Sequence, residues 1–212
     1  MQNINLYYFW NDFHKVFLDE YFLPSFNEHH NGDINLIGKK FEQSNVHCLF
    51  GTPEYKKLLT ERAHYLIELM KTTEKDNFFI FSDIDVQFFG NIKKIIDKMI
   101  DLDHDMVFQK EDIDGRFVNF GLMLIKSNEA TLKFWEEILI RLESNNYSHT
   151  INDQNIGNTL LDLINYSTFD NTIWNWSQGN LDKNIILHHA NCVTDIKAKI
   201  DQLNNVKNYI IN

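Results

Sequence analysis

Phe78-Phe79-Ile80-Phe81-Ser82-Asp83-Ile84-Asp85-Val86 is an apolar run that stops at two carboxylates spaced i, i+2. A run this short and aromatic reads as a buried strand, and its end delivers Asp83 and Asp85 to the rim of a sheet. In an open α/β sheet that rim is where binding crevices form. Two acidic groups beside an apolar wall repel each other and resist desolvation unless a cation, proton or donor compensates them. A divalent metal is the simplest compensation.

Upstream of this run, Leu6 to Trp10 suits a first strand. A helix or turn carrying Phe13, Val16, Phe17 and Tyr21 follows, which Pro24 should interrupt. A second strand is expected at Ile34 to Ile37. Thr52-Pro53-Glu54-Tyr55 opens a helix with an N-cap hydroxyl and a proline in the first turn. That helix, Glu54 to Lys71, carries Tyr55, Leu58, Leu59, Leu66, Leu69 and Met70 on one stripe, and Arg62 falls on it too. A guanidinium on an apolar face needs a partner, either a sheet carboxylate or a ligand.

Downstream, a helix to about Asp101 and a strand at Met106 to Gln109 lead to Phe117–Lys126, too apolar for a surface loop. It reads as a central strand in which Gly121 allows close backbone approach. A helix from Asn128 to Glu143 follows, then a periodic stretch after Asp153-Gln154 that ends near Leu163. The last strand is expected at Ile185 to Leu187, and a helix over Ile196 to Val206 closes the order. Strands alternating with helices predict an α/β class with a mostly parallel sheet, in one domain over 1–212.

The 212 residues are 43% hydrophobic, enough for a sizeable core, and carry a formal net charge of −10. A polyanion would be repelled, so nucleic acid is not an expected partner, whereas an anionic small molecule can still bind where a divalent ion and directed cations reverse the local potential. Cys48 and Cys192 have neither metal-ligand nor redox spacing, which favours a reducing compartment. No secretory pattern or run of about eighteen apolar residues is present, so a cytoplasmic protein without a transmembrane segment is expected.

Three constellations can carry chemistry. Asp83-x-Asp85 suits Mn²⁺ or Mg²⁺, hard cations that take carboxylate, water and phosphate oxygens. His188-His189-Ala190-Asn191, again after an apolar run, can offer an imidazole ligand to the same ion, or can be polar strand-end residues only. His29 and His30 read as solvated loop residues. Asn152-Asp153-Gln154 stands at a helix start where Asp153 reads first as the cap. Asn119, inside an apolar strand, must find partners for its amide, and a sugar hydroxyl is one candidate.

Taken together, Arg62, Phe79-Ile80-Phe81-Ser82-Asp83-Ile84-Asp85-Val86, Asn119-Phe120-Gly121, Asp153-Gln154 and His189-Ala190-Asn191 with Lys199 resemble the GT-A fold nucleotide-diphospho-sugar transferases. The likeness is to the retaining, metal-dependent group related to glycogenin and the lipopolysaccharide galactosyltransferases, and it spans Glu54 to Leu203. It implies a Rossmann-like GT-A domain that moves a sugar from a UDP-sugar to a glycan or protein hydroxyl. By this resemblance Asp85 and His189 ligate the metal, with Asp83 joining them or contacting the ribose. Arg62, Lys199 and Asn191 face the nucleotide diphosphate, and Asn119, Asp153 and Gln154 line the donor sugar and the reacting carbon. Cys192 and Asp195 depart from the group's pattern, which leaves Lys197 as an alternative phosphate contact.

Two other readings remain open at the level of sequence. Haloacid-dehalogenase phosphotransferases also end a strand in DxDxV, with the first aspartate, here Asp83, as nucleophile. A non-catalytic sugar-nucleotide or glycan binder is the other, with Trp174 and Trp176 as aromatic faces, although core packing is expected to claim at least one of these indoles.

Overall fold

The computed structural model describes residues 4–42, 50–144 and 150–212; Cys48 lies outside them. The strands are β1 (Ile4–Trp10), β2 (Ile34–Lys40), β3 (Phe78–Ser82), β4 (Val86–Phe88), β5 (Met106–Lys110), β6 (Val118–Lys126), β7 (Tyr166–Thr168), β8 (Ile173–Asn175) and β9 (Leu187–His189). Helices α1 (Lys15–Phe17) and α2 (Leu23–His29) precede α3 (Pro53–Thr72), α4 (Lys93–Asp101), α5 (Glu129–Glu143), α6 (Asp153–Asn158) and α7 (Ile196–Ile211). The main sheet has six strands in the order β2-β1-β3-β6-β5-β7, and a second sheet has three, β4-β9-β8. In the main sheet only β6 runs against its neighbours β3 and β5; the other pairings are parallel. The expected mostly parallel α/β sheet is therefore present.

Strand alternation sorts the core into two layers. Phe79 and Phe81 of β3 point to the side covered by α3 and α5, where they meet Leu66, Phe134 and Trp135. Ile80 points to the other side, toward Phe22, Phe88, Ile96 and Leu187. In β6 this parity changes midway, because Val118 and Phe120 share the α3/α5 layer with Met123 and Ile125. The change coincides with a register shift in the β5–β6 pairing, where Phe108 lies opposite Met123 but Gln109 lies opposite Asn119. A bulge of this kind re-aims side chains at a sheet rim.

The quoted run behaves differently from its reading as one strand ending at the carboxylates. It leaves the main sheet at Ser82, passes through Asp83-Ile84-Asp85, and resumes as β4 in the second sheet. The Asp83 N–H donates to the Gly121 carbonyl at 2.9 Å, and the Asp85 carbonyl accepts from the Ala190 N–H at 2.9 Å. The two aspartates thus occupy the crossing between the sheets.

Four local expectations are corrected. Pro24 does not interrupt its helix: the chain inserts a π-helical turn over Leu18–Phe22, in which the Leu23 N–H reaches back to the Leu18 carbonyl, and the proline then sits in the first turn of α2. There its missing N–H costs little. The last strand falls two residues later than expected, at Leu187–His189, so both histidines lie within it and all three positions are buried. The final helix continues past Val206 to Ile211. His30 is no loop residue: it is 5% exposed, stacks on Phe26 at 4.3 Å, bonds the Phe26 carbonyl through Nδ1 at 3.0 Å and accepts the Ile92 N–H on Nε2 at 3.2 Å.

Candidate active site

The carboxyl ends of β1 and β3 and the His189 end of β9 meet around one continuous opening. A cavity of about 380 Å³ is lined by Asp83, Asp85, Glu111, Asn119, Asp153, Gln154, His189, Asn191 and Lys199, among others. An adjoining recess of about 150 Å³ shares His14, Tyr55, Arg62, Asp83, Asp85 and Lys199 with it and is otherwise walled by Phe9, Trp10, Asn11, Phe17, Leu58, Leu59 and Ile84. Arg62, Asp83, Asp85, Asn119, Asp153, Gln154, His189, Asn191 and Lys199 each line one or both.

Arg62 takes the carboxylate side of its expected choice, with two partners. Its Nη1 bonds Asp83 Oδ1 at 2.7 Å, its Nε bonds Asp153 Oδ2 at 2.8 Å and its Nη2 also reaches Asp153, so one guanidinium on the apolar stripe of α3 ties the β3 rim to the start of α6. Asp153 is 1% exposed and is not the cap of α6. Asn152 takes that role, exchanging capping-box hydrogen bonds with Asn155, which leaves Asp153 to turn inward. The Asp153 Oδ1 accepts from the Gln154 N–H, and Gln154 Oε1 accepts from the Phe120 N–H at 3.3 Å.

Asn119 finds protein partners for both ends of its amide. Its Oδ1 accepts the Gly121 N–H at 2.7 Å and its Nδ2 donates to Glu111 Oε2 at 2.5 Å. Asn191 donates to Ser177 Oγ at 2.8 Å and lies 3.5 Å from the same Glu111 oxygen. Glu111 had escaped the sequence reading, since a single carboxylate in an acidic loop carries no signal of its own.

One oxygen or nitrogen from each of Asp83, Asp85 and His189 lies within 4.8 Å of the others. His189 Nε2 is 3.5 Å from Asp85 Oδ1 and 3.9 Å from Asp83 Oδ2, while its Nδ1 is 3.1 Å from Gln109 Oε1. The ring rests over Gly121, where a Cβ would come within 2.2 Å of His189 Nδ1. Asp85 also pairs with Lys199. Burial opposes ionisation of Asp85, but Lys199 and His189 outweigh it and hold the carboxyl well below its usual range. Burial raises the pKa of Asp83, against the pull of Arg62. His14 at the shared wall is pushed down to about 4 by burial and is neutral near pH 7.

The cavity wall therefore sets four carboxylates, Asp83, Asp85, Glu111 and Asp153, against two cations, Arg62 and Lys199. In formal charges two negatives are left over, and the Nε2 of His189 faces two of the carboxylates. Carboxylate oxygens plus an imidazole nitrogen form a donor set suited to Mn²⁺ or a similar divalent ion, so these residues fit one.

His188, the other half of the histidine pair, is not at this opening. It is wholly buried, lies 5.2 Å from the Trp174 ring, is pushed down to about 3 by burial, and neither ring nitrogen has a hydrogen-bond partner among the described residues. Trp174 is buried with its indole N–H on the Gly179 carbonyl, whereas Trp176 is 45% exposed. Lys199 lines the cavity and Lys197 is exposed. Asp195 is the N-cap of α7 and accepts the Ala198 N–H at 3.0 Å, and Cys192 is a free thiol at φ +64°, a left-handed turn between His189 and α7. No helix among the described residues is long and apolar enough to cross a membrane.

Comparison with known proteins bears on the same residues. Positions 16–203 match the nucleotide-diphospho-sugar transferase family. No curated protein sequence matches the chain. Among solved structures, a glycosyltransferase involved in glycosylation of the major capsid of PBCV-1 is 15% identical with a TM-score of 0.62, covering 97% of this chain and 100% of its own. GlyE of Streptococcus pneumoniae TIGR4 is 13% identical with a TM-score of 0.60, covering 100% of this chain and 64% of its own. The galactosyltransferase LgtC, solved with donor and acceptor sugar analogs, is 10% identical with a TM-score of 0.53, covering 99% and 97%. At such identities the structural likeness establishes the fold, and the family match sets aside the dehalogenase reading of Asp83. With the two-aspartate crossing intact and the family match running over most of its length, the chain belongs to the nucleotide-diphospho-sugar transferases and is an enzyme of the GT-A glycosyltransferase fold.

Proposed function

We propose that this protein transfers a sugar from a UDP-sugar to a hydroxyl of a glycan or protein acceptor, with retention of configuration, assisted by Mn²⁺ or Mg²⁺. The observation that carries the reading is the convergence of Asp83, Asp85 and His189 within 4.8 Å on a cavity that also holds Arg62 and Lys199. A divalent ion there would supply Lewis-acid stabilisation of charge on the departing diphosphate.

The chain's own groups take the remaining work. The recess walled by Phe9, Trp10, Asn11 and Phe17 offers apolar faces and polar atoms for a base and ribose. Lys199 is positioned to turn from Asp85 to a phosphate oxygen once another cation compensates that carboxylate. Arg62 holds Asp153, and Asp153 in turn holds the Gln154 backbone, so the Gln154 amide is presented to the cavity on a fixed helix start for the sugar ring. Asn119 and Asn191 hold Glu111 on the opposite wall, a place for acceptor or donor hydroxyls. Retention rests on the resemblance alone, as does the choice of uridine. A single domain over 1–212 and a cytoplasmic location belong to the same reading.

The test is UDP release across a panel of UDP-sugars with and without Mn²⁺, followed by NMR of the product anomer. Release that depends on neither donor nor metal refutes the proposal; an inverted product refutes retention only.

A further inference from the structure

We infer that Gln109 is the positioning residue that fixes the tautomer of His189, so that Nε2 is the nitrogen presented to a divalent cation; this rests on the metal reading above. Strand β5 opens Met106-Val107-Phe108, all fully buried, and then places an amide that is equally buried. The register shift after Phe108 and the strand alternation set Gln109 on the face shared with Val107, toward the second sheet. There its Oε1 lies 3.1 Å from His189 Nδ1.

A carbonyl oxygen only accepts, so the facing Nδ1 carries the proton and a neutral ring must keep its lone pair on Nε2. That is the nitrogen 3.5 Å from Asp85 and 3.9 Å from Asp83. The other end of the amide, Gln109 Nε2, is buried with no partner among the described residues. An apolar side chain of the same length would fill this position without stranding an N–H₂ group, so satisfying the amide does not explain a glutamine here. Its one side-chain hydrogen-bond partner among the described residues is the imidazole. Gly121 supplies the matching floor under the ring. Hydrogen-bond partners on the second nitrogen of a ligating histidine orient the ring and raise its basicity.

The experiment uses the whole chain with Gln109→Met, nearly isosteric but without an acceptor, and Gln109→Glu, which keeps an acceptor oxygen. Mn²⁺ binding is followed by the EPR signal of the free ion, without nucleotide, and the His189 tautomer by ¹⁵N NMR of metal-free protein at about pH 8, above the ordinary imidazole range. Gln109→Met is expected to weaken Mn²⁺ binding by about 10- to 100-fold and to turn an unprotonated Nε2 into a tautomer mixture, and Gln109→Glu to restore both. The melting temperature of Gln109→Met should not fall, which separates positioning from a structural role. Wild-type Mn²⁺ affinity in Gln109→Met with Nε2 still unprotonated, or a protonated Nε2 in the neutral wild-type ring, overturns the inference. If the tautomer responds but no form of the chain binds Mn²⁺, the Gln109 contact stands and the metal reading falls.

Discussion

The central strands β3 and β6 of the main sheet and the three strands of the second sheet are buried alike and filled differently. In the middle of β3 and β6 burial goes with apolar character: Phe79, Ile80 and Phe81 and Leu122 to Ile125 are essentially dry, and the buried polar groups Ser82, Gln109 and Asn119 stand toward the site. In the second sheet every strand position is also buried, yet it includes Gln87, Asn175, His188 and His189. An unpartnered buried polar group costs about 1–3 kcal/mol, and in the second sheet Gln87 Oε1 and both ring nitrogens of His188 have no hydrogen-bond partner among the described residues. The difference teaches where the molecule stores stability and where it stores chemistry. The candidate active site forms along the seam, with the two aspartates at the crossing between the sheets and an imidazole from the second one.

The largest break in this comparison is expected from Arg62→Met. It removes the cation that pairs with Asp153 and Asp83 across the seam, and stranding the buried Asp153 carboxylate should cost about 3–5 kcal/mol. Urea unfolding measures it; a loss below about 1 kcal/mol, the range of surface pairs, would mean that the seam is wet and the pair unimportant. Next come Asp85→Asn and His189→Ala, which should reduce metal-stimulated UDP release by about 10²- to 10³-fold while both proteins remain folded. Unchanged turnover in either would remove that residue from the site.

Gly121→Ala sharpens the contrast, because it adds one methyl at the point where the bulge of β6 meets the His189 ring. The Cβ would lie 2.2 Å from Nδ1, so the imidazole must move, at about 1–3 kcal/mol of stability and with weakened Mn²⁺ binding. If melting temperature and Mn²⁺ titration both match wild type, the ring does not sit where the structure puts it. The smallest effect is in pH dependence. His30, stacked against Phe26 and Phe88, has its pKa lowered by burial. The unfolded chain therefore binds more protons than the folded one just below the ordinary imidazole pKa, and stability falls as pH drops through about 6.5 toward the lower folded value. His188, pushed down to about 3, acts in the same direction. Urea midpoints from pH 7 to pH 5 should decline, and the slope should lessen in His30→Gln; a flat profile contradicts the buried neutral imidazoles.

A contrast between two glutamines shows what could be read in advance. Gln154 stands beside Asp153 after a capping residue and belongs to a recognisable order of motifs, so its place at the cavity was legible. Gln109 ends an expected strand like any polar residue at a rim, and nothing nearby in sequence reveals that the partner of its side chain is His189, eighty residues on. The same limit applies to Pro24, whose π-helical accommodation depends on how the preceding turn packs, and to the short strands β4, β7 and β8, too brief to show a period.

What the sequence determined by itself is local or ordered along the chain: the apolar β3 run, the Thr52 cap and α3 stripe, the aspartate pair, and the succession of motifs that identified the family. Their causes are hydrophobic periodicity and side-chain hydrogen bonding within a few residues, which are written into neighbouring letters. The tertiary structure alone decided that the chain changes sheets at Asp83–Asp85, that Arg62 spends its charge on two carboxylates from distant segments, and which of two adjacent histidines faces the cavity. Those outcomes depend on register: a strand shifted by one position exchanges its faces, and the pairing of β9 with β4 and β8 turns His189 to Asp83 and Asp85 and His188 into the apolar interior.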